Sequence, residues 1–154
     1  MKKVNTKNFK KTLSKFSTGI TVVCVKNNNS IYGKTVNSFN SLSLNPPMVL
    51  FSLGNYSSSI KKFSKTKFLS INILSSKQKK LSDNFALTEP NLEDIKFIEG
   101  KNKTAIIPNC IANLECKLID KIKKGDHIIF ICKILEVQSN DKLKPLVYFN
   151  SKYF

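Results

Sequence analysis

The sequence predicts a mainly β protein with short helices, whose antiparallel strands close into a barrel. Two long strand-like stretches, residues 110–122 and 127–138, are joined by the turn KKGD. A shorter hairpin is predicted earlier in the chain, where ITVVCV is followed by IYGKTV. Long antiparallel hairpins are typical of barrels, which pair their own edges and leave pockets at the rim, and not of doubly wound parallel sheets.

The first element is a helix that Thr6 can cap. Phe9, Leu13 and Phe16 recur at the spacing of one helical face, which predicts an apolar stripe that faces the core. Gly19 then opens the β-branched first strand of the hairpin.

The middle of the chain predicts strands separated by short helices. Pro46 and Pro47 interrupt strand pairing and direct the chain into the apolar strand MVLFSL, and Asn40 and Ser41 before them are expected to be loop. YSSSIKKFSK is predicted as a short helix and FLSINIL as the fourth strand. A further helix, SSKQKKLSDNFAL, begins with a serine cap at Ser75 or Ser76.

The last third of the chain contains the long hairpin. Residues 87–110 before it are expected to be mostly loop, with a short helical piece near LEDIKFI, and PLVYF is expected to form a final strand. The length of 154 residues is that of one domain, so we expect residues 1–154 to form a single domain.

The formal charge of +16 suggests nucleic-acid binding at first sight. All 26 basic residues are lysines, however, and arginine is the residue that reads guanine edges and grips phosphate with two donors. We therefore favour solvated lysines and expect no nucleic acid as a partner. A basic nucleic-acid-binding barrel remains the alternative from another class of protein.

The four cysteines and the single histidine argue against a metal site. No CxxC pair occurs, and one histidine is too few for the usual Cys/His zinc patterns. Cys24 and Cys132 lie inside apolar strand-like runs and are expected to be small buried hydrophobic residues. The first residues lack the apolar core of a signal peptide, and no apolar run reaches the ~18 residues of a membrane span. We expect a cytoplasmic protein without a membrane partner.

The segment GNYSSSIKK combines a serine cluster with lysines at the start of a predicted helix. Free backbone N–H groups, hydroxyls and ammonium groups at such a place suit a phosphate. An ordinary serine cap followed by compositional lysines is the alternative interpretation.

Thr35, Asn37 and Ser38 lie at the end of the second predicted strand. Such side chains offer fixed donors and acceptors for the edge of a flat heteroaromatic ligand, although turns also use these residues to satisfy their own backbone. His127 follows the KKGD turn and can donate to a ligand at the mouth of a barrel, although a single histidine is more often structural. The sequence contains no defensible nucleophilic triad, no paired-carboxylate motif, no GxGxxG and no P-loop.

These segments occur in a fixed order: FKKTLSKFSTGITVVCV, YGKTVNSFNSLSLNPPMVLFSL, SSSIKKF, FLSINILSSKQKKLSDNFA, LECKLIDKIKKGDHIIFICKILEV and PLVYFNSKYF. In that order they resemble the flavin reductase family, which has the FMN-binding split β-barrel fold. Members are the reductase components of two-component flavin monooxygenases. The resemblance runs from about Phe9 to Tyr153, and its most specific parts are the TxNSF…SxSLxPP segment and the GDH turn.

The resemblance implies FMN or FAD in a cleft near the interface of a homodimer. The residues matched to flavin contacts are Thr35, Val36, Asn37, Ser38, Ser52, Leu53, Ser57, Ser58, Ser59, Lys61, Phe85, Ala86 and Tyr153. The serine cluster and Lys61 match the positions that hold the flavin phosphate. His127 matches the histidine near which the nicotinamide cofactor docks.

The implied activity is hydride transfer from NADH or NADPH to FMN or FAD, and the reduced flavin would serve a partner monooxygenase. The alternative within the same fold is an electron carrier or flavin-binding protein without nicotinamide turnover. Val36 stands where the family more often has alanine, which could narrow the ring pocket or change the preferred flavin. The segment between Phe97 and Pro108 matches poorly and could carry selectivity, and lysine or asparagine replaces several family arginines.

Overall fold

The structure is a computed structural model that describes residues 3–28, 30–57 and 59–154. The strands are β1 (Thr18–Gly19), β2 (Thr21–Asn27), β3 (Ser30–Val36), β4 (Asn40–Leu44), β5 (Pro47–Gly54), β6 (Phe68–Ile73), β7 (Ile98–Glu99), β8 (Ala105–Ile106), β9 (Ala112–Lys124), β10 (His127–Ser139), β11 (Val147–Phe149) and β12 (Lys152–Tyr153). The α-helices are α1 (Thr6–Leu13), α2 (Ile60–Lys65) and α3 (Lys79–Ala86), and a short 3₁₀ turn, Ser76–Gln78, leads into α3.

The main sheet has seven strands in the order β3-β2-β6-β9-β10-β5-β4, and every neighbouring pair is antiparallel. β1, β11 and β12 form a smaller sheet, and β7 pairs with β8. The prediction of a mainly β, antiparallel fold with short helices is therefore confirmed. The sheet curls until the end of β3 meets β5, where the Ser38 side chain hydrogen-bonds the backbone of Ser52. Backbone pairing does not close the ring, because β3 and β4 are its two edges.

Residues 21–25 of β2 are buried on both faces of the sheet, which explains the uninterrupted apolar run VVCV. On one face Val23 and Val25 join the core inside the curled sheet, and on the other Val22 and Cys24 pack beneath α3. Inside the sheet the rings of Phe51 and Phe130 stack with centroids 5.1 Å apart. These two residues lie directly opposite each other on β5 and β10, so strand pairing itself brings the rings together.

Of the two caps predicted, Ser75 is the one that caps the 3₁₀ turn leading into α3. The Gln78 side chain accepts a hydrogen bond from the Ser75 backbone at 2.9 Å, and the two residues form a capping box. Phe85, in the last turn, is completely buried against β3. A Cβ at Gly33 would lie 2.4 Å from the Phe85 ring, so glycine at this position lets α3 approach the strand closely.

The prediction for α1 is wrong in two respects. Asn5, and not Thr6, caps the helix, and its Oδ1 accepts from the Asn8 backbone N–H at 2.8 Å. The apolar stripe is also exposed: Phe9, Leu13 and Phe16 are 56%, 51% and 74% accessible. Helical periodicity predicts an apolar face correctly but does not say whether another part of the chain covers it.

Two segments expected to be irregular or helical form other structures. Asn40 and Ser41 belong to β4, an edge strand whose polar side chains suit solvent exposure. The LEDIKFI segment contains a turn and no helix, because the Asn91 side chain accepts from the Glu93 backbone N–H at 2.9 Å and draws the chain into an Asx turn.

All four cysteines are free and buried, which confirms the interpretation of Cys24 and Cys132 as core residues. Burial raises the pKa of the Cys132 thiol to about 12 and that of Cys110 to about 11. These thiols are therefore protonated and unreactive at neutral pH. None of the helices in the described part of the chain is long and apolar enough to cross a membrane.

Candidate functional site

A cleft of about 350 Å³ opens where the ends of β3 and β5 meet the end of α3 and the start of β10. It is lined by Lys34, Thr35, Val36, Asn37, Ser38, Ser52, Leu53, Gly54, Tyr56, Ser57, Ala86, Thr88 and His127. The structure thus brings together nine of the residues predicted from the sequence: Thr35, Val36, Asn37, Ser38, Ser52, Leu53, Ser57, Ala86 and His127. Its volume falls in the range of small-molecule sites.

His127 reaches the cleft through strand register. It is the first residue of β10 and lies opposite Gly54, the last residue of β5. Its Nδ1 lies 2.7 Å from Asp126 Oδ1, and this contact lowers the pKa of the Asp126 carboxyl. The Asn55 backbone N–H donates to the Asp126 carbonyl at 2.9 Å, which ties the turn to the end of β5. A hydrogen bond at Nδ1 leaves Nε2 available to a ligand.

Thr35 lines the cleft, but its hydroxyl proton is already used. Its Oγ1 donates to the Ser82 carbonyl on α3 at 2.7 Å, so it can offer a ligand an acceptor oxygen and not a donor. Asn37 is exposed at the rim. Val36 contributes to the cleft wall, and its side chain is buried in the core. Valine in place of the family's more common alanine therefore affects both the shape of the cleft and the packing of the core.

Lys34 also lines the cleft, although the sequence argument gave it no role. Its Nζ donates to the carbonyls of Leu87 and Thr88, just beyond the end of α3. Partial burial lowers the pKa of Lys34. Lys34 places a cationic group in the cleft, and no carboxylate lines it among the described residues. The cleft therefore favours an anionic ligand.

Ser57 provides the clearest sign of a missing partner. Its Oγ is buried in the cleft wall and has no hydrogen-bond partner within the described residues. Buried hydroxyls are nearly always paired, so an unpaired one in a cleft marks a place where a ligand or water binds. Ser58, predicted as its neighbour in the same role, lies outside the described residues.

Two members of the predicted phosphate group are not in the cleft. Ser59 is buried and lines an adjoining hollow of about 300 Å³, which meets the cleft at Thr88. Lys61 is exposed and lines neither cavity. Its neighbour Lys62 lines the hollow, with its ammonium 5.2 Å from the centroid of the Tyr32 ring.

Phe85 and Tyr153 lie behind the cleft wall. Phe85 is in the core beneath β3, next to the cleft residue Ala86. The Tyr153 hydroxyl is 2.9 Å from Ser82 Oγ, on the residue whose carbonyl holds Thr35. Both aromatic residues therefore support α3, and through it the wall formed by β3.

The segment between Phe97 and Pro108 does not line the cleft. The buried Glu115 carboxylate accepts from the backbone N–H groups of Lys101 and Asn102 at 2.9 Å each, and from Thr104 Oγ1 at 2.7 Å. This network fixes the segment on the sheet. Because the segment lies outside the cleft, its position does not support the expectation that it determines substrate selectivity.

Gly54, Tyr56 and Thr88 also line the cleft and were not predicted from the sequence. Tyr56 is 81% exposed, and its ring lies so close to Gly54 that a Cβ there would come within 2.7 Å. Tyr56 follows Gly54 by two residues inside the GNYSSS segment, and an aromatic residue in that segment was the sequence signal that could have identified it. Thr88 follows α3 in a stretch without a recognisable motif.

An antiparallel sheet curls around an apolar core and carries a polar cleft where β3 and β5 end and β10 begins. Residues 13–154 match the family model described as flavin reductase like domain. This chain belongs to that family.

Related proteins support the assignment over nearly the whole chain. The FMN reductase (NADH) SmoA of Agrobacterium fabrum is 34% identical over 137 residues, which cover 89% of this chain and 79% of that protein. The reductase component of the 4-hydroxyphenylacetate 3-monooxygenase of Thermus thermophilus is 32% identical over 145 residues, covering 94% of this chain and 93% of that protein. Among solved structures, the flavin reductase PheA2 in its native state superposes with a TM-score of 0.90 at 33% identity, covering 98% of this chain and 97% of that one.

Proposed function

We propose that this protein is an NADH-dependent flavin reductase that binds FMN or FAD in the cleft. The proposal depends on one observation: a single cleft contains the polar residues at the end of β3, the unpaired Ser57 hydroxyl and His127. The names of the relatives support the choice of substrates, since they include an FMN reductase (NADH) and an NADH-dependent flavin reductase.

The residues present fit a flavin. The unpaired Ser57 hydroxyl offers a donor for the flavin phosphate, and the absence of a carboxylate among the described lining residues avoids repulsion of that anion. Asn37 and the neighbouring backbone offer donors and acceptors for the edge of the ring. Val36 and Leu53 supply the apolar wall against which a flat ring packs.

When bound, the flavin supplies the redox chemistry by accepting a hydride from the nicotinamide. The protein positions the two reactants and stabilises the charge that develops on reduction. Lys34 contributes a nearby positive charge, and His127, whose Nδ1 is engaged by the Asp126 carboxylate, offers Nε2 to the nicotinamide carboxamide. The reaction needs no general base, which agrees with the lack of a carboxylate among the described residues that line the cleft.

Relatives named as reductase components of monooxygenases support a further step, in which reduced flavin leaves for a partner monooxygenase. The cleft is open to solvent and holds no covalent anchor for flavin among its described residues, which suits a flavin that comes and goes as a substrate. A cytoplasmic location and a single domain over residues 1–154 stay predictions.

A homodimer is part of the proposal. Leu44 is 93% exposed at the tip of the β4–β5 hairpin, and Val137 is 69% exposed on β10. The register sets Leu44 opposite Pro47, and Met48 opposite Lys133, so these side chains lie at the same end of the sheet. Covering them with a second copy removes apolar surface from water. Light scattering during gel filtration measures the mass directly, and a monomer at micromolar concentration would contradict the dimer.

The function is tested by mixing the purified protein with each pairing of FMN or FAD and NADH or NADPH, while the nicotinamide absorbance is followed. We expect oxidation that depends on both added flavin and protein. Flavin binding without oxidation in any pairing would favour a carrier, the alternative within the same fold. Neither flavin binding nor turnover, together with salt-sensitive oligonucleotide binding, would favour the nucleic-acid-binding alternative.

A further inference from the structure

Among the described residues, Lys34 is the lysine that lines the cleft, whereas Lys61 is the one matched to the flavin phosphate from the sequence. Lys61 is exposed and lines neither the cleft nor the adjoining hollow. Ser57 lines the cleft as well, and its buried hydroxyl has no partner within the described residues. An ammonium group and an unpaired hydroxyl beside one small cavity are groups with which proteins bind phosphate.

The Lys34 ammonium keeps a donor for a ligand. It has three N–H groups, and two of them donate to the carbonyls of Leu87 at 2.5 Å and Thr88 at 3.1 Å. Neither acceptor carries a full charge, and Lys34 forms no ion pair with a carboxylate of the described residues. Partial burial lowers the pKa of Lys34, an effect that a bound anion would oppose. The two bonds therefore fix the ammonium beside Thr88 and leave its charge uncompensated.

The cavities that adjoin the cleft distinguish its two ends. The hollow of about 300 Å³ shares Thr88 with the cleft and also contains Ser59, which follows shortly after Ser57. A further hollow, of about 810 Å³ beneath α1, shares His127 with the cleft instead. Because Lys34 is bonded to Thr88, it belongs to the end with the serines and not to the end with His127.

Two acidic residues line the neighbouring hollows and not the cleft. Glu89 lines the hollow that contains Ser59, where the Lys62 ammonium provides a positive charge. Asp126 lines the hollow at the other end, where its carboxylate contacts His127 Nδ1 at 2.7 Å. An anion beside Lys34 therefore meets a cation and a hydroxyl donor, without a carboxylate in the described lining of the cleft.

We propose that Lys34 binds the flavin phosphate together with Ser57, in the role that the family resemblance implied for Lys61. The inference rests on the proposed function and makes specific the positive charge that Lys34 brings to the cleft. The flavin ring then extends from the phosphate toward His127. Lys34 thereby becomes the residue that selects phosphorylated flavins over riboflavin.

The test compares FMN with riboflavin, which lacks the phosphate, by fluorescence titration of the protein with each flavin. Lys34→Gln removes the charge and keeps a donor for the carbonyls of residues 87 and 88, and Lys34→Arg keeps the charge. Lys61→Gln is the matched variant at the residue implied by the resemblance. The wild type should bind FMN about tenfold or more tightly than riboflavin, and this preference should fall about fivefold or more in Lys34→Gln. Lys34→Arg and Lys61→Gln should keep most of the preference.

Added salt gives a second readout, which the wild type alone can provide. Its preference for FMN over riboflavin should weaken as sodium chloride is added, because salt screens the attraction between ammonium and phosphate, and it should weaken less in Lys34→Gln. Thermal unfolding checks that the variants fold.

Three results would overturn the inference: a wild-type preference in Lys34→Gln, equal losses of affinity for FMN and riboflavin in that variant, or a wild-type preference that salt does not change. A loss of the preference in Lys61→Gln would return the phosphate to Lys61 and would overturn it as well. Failure of the wild type to bind or reduce any flavin would instead contradict the proposed function.

Discussion

Ser38 Oγ makes two hydrogen bonds to the backbone of Ser52, accepting from its N–H at 3.0 Å and donating to its carbonyl at 3.1 Å. Ser38 follows β3, and Ser52 lies on β5. These two strands do not pair through their backbones, so the Ser38 side chain supplies the hydrogen bonds between them. Both residues line the cleft. The contact therefore stabilises both the cleft and the curled shape of the sheet.

Ser38→Ala should lower the free energy of unfolding by about 1–3 kcal/mol, because it leaves a partly buried N–H and carbonyl of Ser52 without their partner. Flavin affinity should fall as well, since the two sides of the cleft lose their connection. Chemical denaturation and flavin titration measure the two effects. Ser41→Ala, at an exposed hydroxyl on the edge strand β4, is the matched control and should change neither. Unchanged stability in Ser38→Ala would show that the bridge does not hold the sheet.

Ser57→Ala should weaken FMN binding about tenfold or more, because a hydrogen bond to a charged phosphate contributes about 1.5–3 kcal/mol. Riboflavin lacks the phosphate and serves as the control ligand, whose affinity should stay the same. Stability should not fall, since the Ser57 hydroxyl has no partner among the described residues to lose. An equal loss of affinity for FMN and riboflavin would show that Ser57 does not bind the phosphate.

Lys34→Met should loosen the chain that follows α3. The ammonium donates to the carbonyls of Leu87 and Thr88, and methionine keeps the apolar stem but not these bonds. We expect faster amide hydrogen exchange in residues 87–92 and a loss of about 1 kcal/mol in stability. Lys80→Met, at an exposed lysine of α3, controls for the lost charge. Wild-type exchange rates in Lys34→Met would contradict the anchoring role.

His127→Ala should raise the KM for NADH more than the KM for flavin, because the lost ring is expected to contact the nicotinamide and not the flavin phosphate. Lys124→Ala is the control, since Lys124 pairs with His127 from the neighbouring strand and does not line the cleft. Steady-state kinetics with each substrate varied in turn give both constants. Equal increases in the two KM values would argue against a specific role of His127 at the nicotinamide.

The strands with clear hydrophobic patterns could be predicted from the sequence because the polarity of their side chains follows their burial. The VVCV run of β2 is apolar because both faces of the strand are covered there, and β9 and β10 are long and joined by a clear turn. β4 was not predicted because NSLSL is a polar edge strand. Its strand character comes from pairing with β5, which the local sequence does not indicate. Local pattern also could not choose between Asn5 and Thr6 as the cap of α1, since both are good capping residues.

Much of the candidate site could be predicted because its residues lie in motifs at strand ends. Phe85 and Tyr153 match the same motifs but support α3 from behind, and sequence alone does not distinguish support from contact. Lys34 was missed because its partners are the carbonyls of Leu87 and Thr88, more than fifty residues away. The exposure of Phe9 likewise depends on what lies opposite α1, which only three-dimensional packing reveals.

If the cleft binds flavin for reduction by NADH, the protein should accelerate that reduction in the absence of oxygen. The protein, FMN or FAD, and NADH are mixed anaerobically while the absorbance of oxidised flavin is recorded. We expect loss of that absorbance in proportion to added NADH, at a rate that rises with protein concentration. Flavin that stays oxidised, or bleaches no faster than in the absence of the protein, would contradict it.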